Sequence, residues 1–114
     1  MLIFKIASKG AWAEALRTGA FAGSEVDRRD GFIHLSDAGQ VAETAAKHFK
    51  GQNDLVLIAF EAERLGAALK WEPSRGGALF PHLYAPLPAG AALWTKPLVL
   101  GADGTPAIPD LSIC

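Results

Sequence analysis

The amino-acid sequence predicts an α+β fold in which two small, mostly antiparallel sheets pack with two helices. Its length of 114 residues suits one domain. Segments of strand and helix character follow the order strand, helix, strand, helix and then mostly strands. No internal repeat or linker interrupts this order. We therefore expect a single domain over residues 1–114, ending in a C-terminal tail over 101–114.

The first two elements are a strand and a short helix. Residues 2–6 are rich in Ile and Phe, which is typical of a buried strand. Trp12 and Leu16 lie four positions apart among alanines, and Gly19 follows as a left-handed stop. This spacing predicts a helix of two turns.

The middle of the chain predicts a loop, a strand, a helix and a central strand. Residues 21–30 carry five charges and are expected to form a loop, and residues 31–35 return to strand character. The clearest helix covers 38–50, where Asp37 and a glutamine three residues later resemble a capping box. Residues 55–60 are all apolar, as expected of a strand covered on both faces.

Strands dominate the remainder. We expect them at 69–72, 79–84 and 92–100, followed by the tail as a surface wrap. The large apolar members of these elements predict the hydrophobic centre. They are Ile6, Trp12, Leu16, Val41, Phe49, Leu57 and Ile58.

Composition and charge exclude several classes of protein. Eleven basic and twelve acidic side chains give a formal charge of −1 without a basic run, which disfavours a nucleic-acid partner. The apolar start is too short for a secretory signal, and the prolines and glycines of 76–95 exclude a spanning helix. Cys114 is the only cysteine and can form no disulfide within the chain, which suits a reducing compartment. We therefore expect a cytoplasmic protein without membrane contact. The scattered histidines match no zinc spacing, and no metal is expected.

The first group of candidate site residues lies before the second helix. Strand alternation places Phe32, His34 and Ser36 on one face. An imidazole beside a hydroxyl, close to a helix N-terminus, can hold a ribose hydroxyl or a phosphate, or transfer a proton. In the structural alternative, His34 bonds a backbone carbonyl and Ser36 helps to cap the helix.

A second group alternates onto one face of the predicted strand at 79–84. Phe80 and Tyr84 flank His82, so the face could stack a planar ring while the imidazole supplies a hydrogen bond. The structural alternative is a strand at the edge of the core. Glu72 follows Trp71, and burial would raise the pKa of its carboxyl, although an exposed glutamate at a strand end is the commoner arrangement.

Several motifs together resemble a known bacterial family, domain of unknown function 952. They are Ile3-Phe4-Lys5-Ile6, Trp12, Asp30-Gly31-Phe32-Ile33-His34-Leu35-Ser36, Trp71-Glu72 and Phe80-Pro81-His82-Leu83-Tyr84-Ala85-Pro86-Leu87. The resemblance covers residues 2–97. It implies a fold similar to that of ADP-ribosyltransferases, including the NAD-binding half of RNA 2'-phosphotransferases, with a NAD-like ligand in a cleft between two small sheets.

The resemblance also implies roles for individual residues. His34-Leu35-Ser36 looks like the His-Leu-Ser of the second strand of the phosphotransferases. Lys5 stands where those enzymes have a histidine that holds a ribose hydroxyl, and Glu72 is the candidate for the transferase glutamate. With His34, His82 and Glu72 as catalytic candidates, the ligand-binding candidates are Lys5, Ser36, Phe80 and Tyr84.

Three functions remain open at this point. The first is an enzyme, or a degenerate one, that binds or processes NAD or an ADP-ribose-like nucleotide. The second is a phosphoesterase with two catalytic histidines. The third is a noncatalytic ligand-binding or regulatory module, which Lys5 in place of the expected histidine favours. The predicted ligand is a nucleotide-like anion at the start of the second helix, and no motif identifies a protein partner.

Overall fold

The structure is a computed structural model that describes residues 1–111, and within them it contains ten strands and three α-helices. The helices are α1 (Lys9–Thr18), α2 (Glu25–Asp30) and α3 (Val41–His48). The strands are β1 (Leu2–Ser8), β2 (Ala20–Phe21), β3 (Ile33–His34), β4 (Ser36–Asp37), β5 (Leu55–Glu61), β6 (Leu69–Pro73), β7 (Leu79–Leu83), β8 (Leu87–Pro88), β9 (Trp94–Leu100) and β10 (Pro106–Ala107). Short 3-10 helices occur at Ala62–Ala68, Arg75–Gly77 and Ala89–Ala91.

The strands form antiparallel sheets, as the sequence predicts. A five-stranded sheet has the order β10-β9-β5-β1-β4, a three-stranded sheet has the order β3-β7-β6, and β2 pairs with β8. The α+β class is confirmed. The expected number of elements is wrong, because residues 1–111 contain a third small sheet and a third α-helix.

The predicted central strand is confirmed. β5 pairs with β1 on one side and β9 on the other. Leu57 and Ile58 are both 0% exposed, and they belong to separate hydrophobic cores on the two faces of the sheet. Both faces are therefore covered, which explains why this strand has no polar position between its ends.

Helix α1 confirms the second predicted element but corrects the core. The Ser8 side chain accepts from the backbone N–H of Ala11, and Gly19 ends the helix with φ of 96°. The helix buries Trp12 and Ala15, while Leu16 is 60% exposed. Leu16 was therefore wrongly included in the predicted centre, because only the narrow side of the helix around Trp12 faces the core.

The loop predicted for residues 21–30 is wrong. Phe21 ends β2, and α2 begins behind a complete capping box in which the Ser24 hydroxyl accepts from the Asp27 N–H and the Asp27 carboxylate accepts from the Ser24 N–H. All five charged residues belong to this short helix, and one of them, Asp27, is buried.

The helix predicted over 38–50 is shorter than expected. α3 starts after Gln40, which makes no side-chain capping bond. Asp37 lies in the preceding turn, where its N–H donates to the Gln40 side chain at 3.0 Å and its carboxylate accepts from Gly39 at 2.9 Å. Phe49 follows the helix and packs, partly buried, against a core. The predicted capping box is thus only half formed.

The tail is more than a surface wrap. β10 pairs with β9 and extends the five-stranded sheet. Ile108 and Leu111 pack against the core beneath that sheet. The expectation for Cys114 lies outside the described residues.

One short segment joins the two larger sheets. β3 pairs with β7, and after the single residue Leu35 the chain continues as β4, which pairs with β1. The N–H of Leu35 donates to the carbonyl of Pro81 at 3.1 Å. Segment 33–37 therefore connects the two larger sheets directly.

Candidate functional site

A cavity of about 850 Å³ is lined by residues from both larger sheets. Five of the seven candidate site residues lie on its wall. They are Lys5, His34, Ser36, Phe80 and His82. Tyr84 instead lines a smaller cavity of about 310 Å³, and Glu72 contacts both Tyr84 and His82. The predicted common cleft therefore includes both histidines and Ser36 but not Tyr84.

The two histidines are neighbours across a pair of strands. His34 on β3 is the register partner of His82 on β7. Directly opposite residues in an antiparallel pair place their side chains on the same face. The ring centroids lie 5.6 Å apart with the planes at 67°. The pairing thus joins two residues separated by 48 positions in the sequence.

A buried ion pair supports His34. The Lys5 ammonium donates to Asp27 at 2.8 Å and to the carbonyl of His34 at 3.0 Å. The other carboxylate oxygen of Asp27 accepts from the backbone N–H of His34 at 3.0 Å and contacts its Nδ1 at 2.7 Å. The side chains of Lys5 and Asp27 are 7% and 2% exposed. The Lys5 ammonium is therefore already paired with Asp27, and it acts on the site by holding Asp27 in place.

The electrostatics of this pair follow from burial and from close contacts. Burial alone would raise the pKa of Asp27, but the hydrogen bond from His34 and the charge and hydrogen bond of Lys5 outweigh it and hold the pKa well below its usual range. Burial lowers the pKa of Lys5, and the Asp27 carboxylate opposes that shift. Asp27 is thus an acceptor that stays ionised at neutral pH.

The second ring nitrogen of His34 also contacts a carboxylate. Nε2 lies 2.9 Å from Oδ2 of Asp30, the last residue of α2. With Asp27 on the other nitrogen, the ring can donate at both positions only when it carries both protons. His34 is therefore placed as a hydrogen-bond donor.

His82 is anchored through its Nδ1. Its Nδ1 lies 2.8 Å from Oε1 of Glu72, and the Tyr84 hydroxyl donates to that same oxygen at 2.7 Å. Glu72 reaches His82 diagonally, since its direct partner on β7 is Phe80. The hydrogen bonds from Tyr84 and His82 lower the pKa of Glu72, and Glu72 in turn raises the pKa of Tyr84. An Nδ1–H held by Glu72 leaves Nε2 as the acceptor.

Phe32 lies against both histidines. Its ring stacks on His82 with centroids 4.1 Å apart and planes at 23°, and it lies 4.7 Å from His34 and 5.3 Å from Tyr84. It also lines the smaller cavity. Phe32 therefore packs against the His82 ring and limits its orientation.

The first turn of α3, where the sequence predicts an anion, lies outside the wall of the larger cavity. The Ser36 hydroxyl is 2.9 Å from that of Thr44, one turn inside the helix, and the Thr44 hydroxyl also donates to the Gln40 carbonyl. Within residues 1–111 the cavity wall includes Thr44 and His48 but none of the first three residues of α3. His48 lies in the last turn of α3, and it too lines the cavity.

The arrangement offers a donor and an acceptor on neighbouring strands. Donation from His34 and acceptance at Nε2 of His82 is the minimum set for acid-base work on one bound group. Over the described part of the chain, no group of three or more metal-ligating side chains could hold a metal ion. None of the helices between residues 1 and 111 is both long and apolar enough to cross a membrane.

The sequence pattern did not identify Asp27 or Asp30 as parts of this site, and it placed Phe32 beside His34 without a role. Two signals were available. The spacing of Ser24 and Asp27 is that of a capping box, and a lysine inside the apolar strand β1 requires a buried acid nearby. Phe32 shares the face of His34 by strand alternation, but its contact with His82 depends on the pairing of β3 with β7.

Comparisons with known proteins agree with this picture of the fold. The family described as "Protein of unknown function (DUF952)" matches residues 6–95. A crystal structure of protein CC0527 from Caulobacter crescentus is 56% identical, covers 94% of both chains and has a TM-score of 0.92. The solution NMR structure of CC0527 is 57% identical over 92% of this chain and 90% of that one, with a TM-score of 0.83. No curated protein matches. With its two histidine motifs inside the matched region, the chain belongs to the DUF952 family.

Proposed function

We propose that this chain binds an NAD- or ADP-ribose-like nucleotide in the larger cavity, in the manner of an ADP-ribosyltransferase-like domain. The observation that carries the proposal is the pair of neighbouring imidazoles on the cavity wall, each held through Nδ1 by a carboxylate. Such anchoring fixes the position of a ring before a ligand arrives.

The size and position of the cavity support the same ligand class. A volume of about 850 Å³ lies within the range of small-molecule and cofactor sites, roughly 300 to 1,000 Å³. Its wall includes residues of β1 in the five-stranded sheet and of β7 in the three-stranded sheet. A ligand cleft between two sheets is what the resemblance to ADP-ribosyltransferases implies.

The histidines, Phe80, Lys5 and Tyr84 have distinct roles in this proposal. His34 donates from Nε2 to a ribose hydroxyl or phosphate oxygen, and His82 accepts at Nε2 from a hydroxyl. Phe80 offers a ring for contact with a base or nicotinamide. Lys5 acts indirectly through Asp27, and Tyr84 acts through Glu72.

The test is a titration followed by amide NMR. We expect NAD or ADP-ribose to give saturable shifts at residues 34–36 and 80–82. His82→Ala should weaken binding about tenfold, the change expected for the loss of one hydrogen bond of about 1.4 kcal/mol. Lys47→Ala is the control, since Lys47 is 57% exposed and its salt bridge is with Glu43. The absence of saturable shifts in both segments at millimolar ligand would contradict the proposal.

A second candidate function is hydrolysis of a phosphoester by the two histidines. The unequal anchoring favours it, because His34 is placed to donate and His82 to accept. His82 would take a proton from water as the water oxygen attacks phosphorus, and His34 would give a proton to the leaving oxygen as the P–O bond breaks. Turnover of a 2',3'-cyclic nucleotide with a bell-shaped pH profile supports this function. Saturable binding of nucleotides without turnover would favour the noncatalytic module.

A further inference from the structure

We infer that His34 and Arg29 form a binding site for a phosphate group, and that the carboxylate of Asp30 occupies this site until a ligand displaces it. The inference deepens the proposed function. It rests on that function for one point, the identification of the natural ligand as a nucleotide. It also states that the Asp30 carboxylate takes the place of a phosphate group on His34 and Arg29. Binding of inorganic phosphate or pyrophosphate can test this statement.

The geometry around Asp30 is that of a bound anion. One carboxylate oxygen lies 2.9 Å from Nε2 of His34, and the other accepts from Nε of Arg29 at 3.1 Å. An imidazole and a guanidinium that converge on two oxygens of one group are typical partners of phosphate. Both donors line the larger cavity together with Asp30.

The two carboxylates on His34 differ in how firmly they are held. The Asp27 side chain is 2% exposed and is fixed by Lys5, whereas that of Asp30 is 32% exposed. Exposed ion pairs contribute little free energy because water and salt screen them. A ligand can therefore replace Asp30 while Asp27 continues to orient the ring.

The local backbone allows this exchange without movement of the helix. Asp30 is the last residue of α2, and Gly31 follows in the left-handed conformation with φ of 87°. Rotation of the Asp30 side chain alone would separate its carboxylate from His34, since the ring is held independently by Asp27.

The charges on the cavity wall explain why Asp30 controls anion affinity. Lys5 is paired with Asp27, whereas the single carboxylate of Asp30 contacts both Arg29 and His34 and offsets the positive charge of Arg29. Glu25 also lines the cavity and limits the attraction. Replacing Asp30 by asparagine leaves His34 and Arg29 without their shared counter-charge, which favours an external anion.

The experiment compares Asp30→Asn with Glu14→Gln in titrations with inorganic phosphate and pyrophosphate. Glu14 is a matched control, because it is an exposed carboxylate bonded to the guanidinium of a neighbouring arginine on α1. We expect Asp30→Asn to bind pyrophosphate at least about tenfold more tightly than wild type, with shifts at residues 29–34 and at the His34 ring. Glu14→Gln should match wild type.

Three results would overturn the inference. They are no gain of affinity in Asp30→Asn, an equal gain in Glu14→Gln, and a gain that persists when His34→Ala is added to Asp30→Asn. A thermal melt of each variant shows that it is folded. The outcome is separable from the nucleotide proposal, because Asp30→Asn can gain pyrophosphate affinity whether or not wild type binds NAD, and NAD can bind wild type without that gain.

Discussion

Asp27→Asn is expected to be the most damaging conservative substitution near the cavity. The carboxylate accepts from Lys5 Nζ, the Ser24 N–H, the His34 N–H and the His34 ring. An asparagine of the same shape cannot neutralise Lys5, and its amide nitrogen would face a donor. Removing one partner of a buried ion pair typically costs about 3 to 5 kcal/mol. At about 4 °C for each kcal/mol in a chain of this length, the melting temperature should fall by roughly 12 to 20 °C.

The pH dependence of this effect has a definite sign. The pKa of Asp27 is lowered in the folded chain, so its stabilisation is fully present above the unfolded pKa of about 3.9 and is lost as the pH falls towards the folded value. Wild type should therefore lose stability below about pH 4 more steeply than Asp27→Asn. Chemical denaturation at a series of pH values measures both curves.

A double substitution tests the cause. Asp27→Asn combined with Lys5→Met removes both charges, and it should cost less than the sum of the two single substitutions. If Asp27→Asn alone costs less than about 1 kcal/mol, or if the two effects simply add, the ion pair does not support the site in the way described here.

Two further predictions concern the core and the hydrogen bond between Tyr84 and Glu72. Leu57→Ala should lower the free energy of unfolding by about 2 to 5 kcal/mol, because Leu57 is 0% exposed. Leu16→Ala should lower it by less than about 0.5 kcal/mol, because Leu16 is 60% exposed. Unfolding by denaturant measures both values. Glu72→Gln should return the raised pKa of Tyr84 towards its ordinary value, since Glu72 is the main cause of the shift. Ultraviolet titration of the phenol measures this, and an unchanged pKa would contradict the Tyr84 to Glu72 hydrogen bond.

Local sequence signals correctly predicted those helices and strands whose type follows from the residues within them. The apolar run of β5 required burial on both faces, and the stop at Gly19 required a left-handed residue. α2 was missed because its charges were interpreted as solvation of a loop, although its capping box lies in the same residues. Leu16 shows a limit of hydrophobic periodicity. The spacing predicts which face of a helix is apolar, but it does not predict how much of that face is buried.

The arrangement around the cavity depended on information that no local pattern contains. His34 and His82 were each identified from strand alternation, yet only the register of β3 against β7 brings them together. Asp27 lies 22 positions from Lys5, and the need for such an acid follows from the burial of Lys5 rather than from a motif. Tyr84 was expected to stack on a ligand in the cleft, but it follows the end of β7 and lines the other cavity.

The single residue between β3 and β4 has a mechanical consequence. Because Ile33–His34 belongs to one sheet and Ser36–Asp37 to the other, a hinge motion between the sheets would have to turn the backbone of the buried Leu35 and break its N–H bond to the carbonyl of Pro81. For the ligand proposed above, adjustment of the site would fall to exposed side chains such as Arg29 and Asp30. An insertion of one residue beside Leu35 would reverse the facing of Ser36 and Asp37 in β4 unless their pairing with β1 were lost, so the length of this connection sets which side chains of β4 face the cavity.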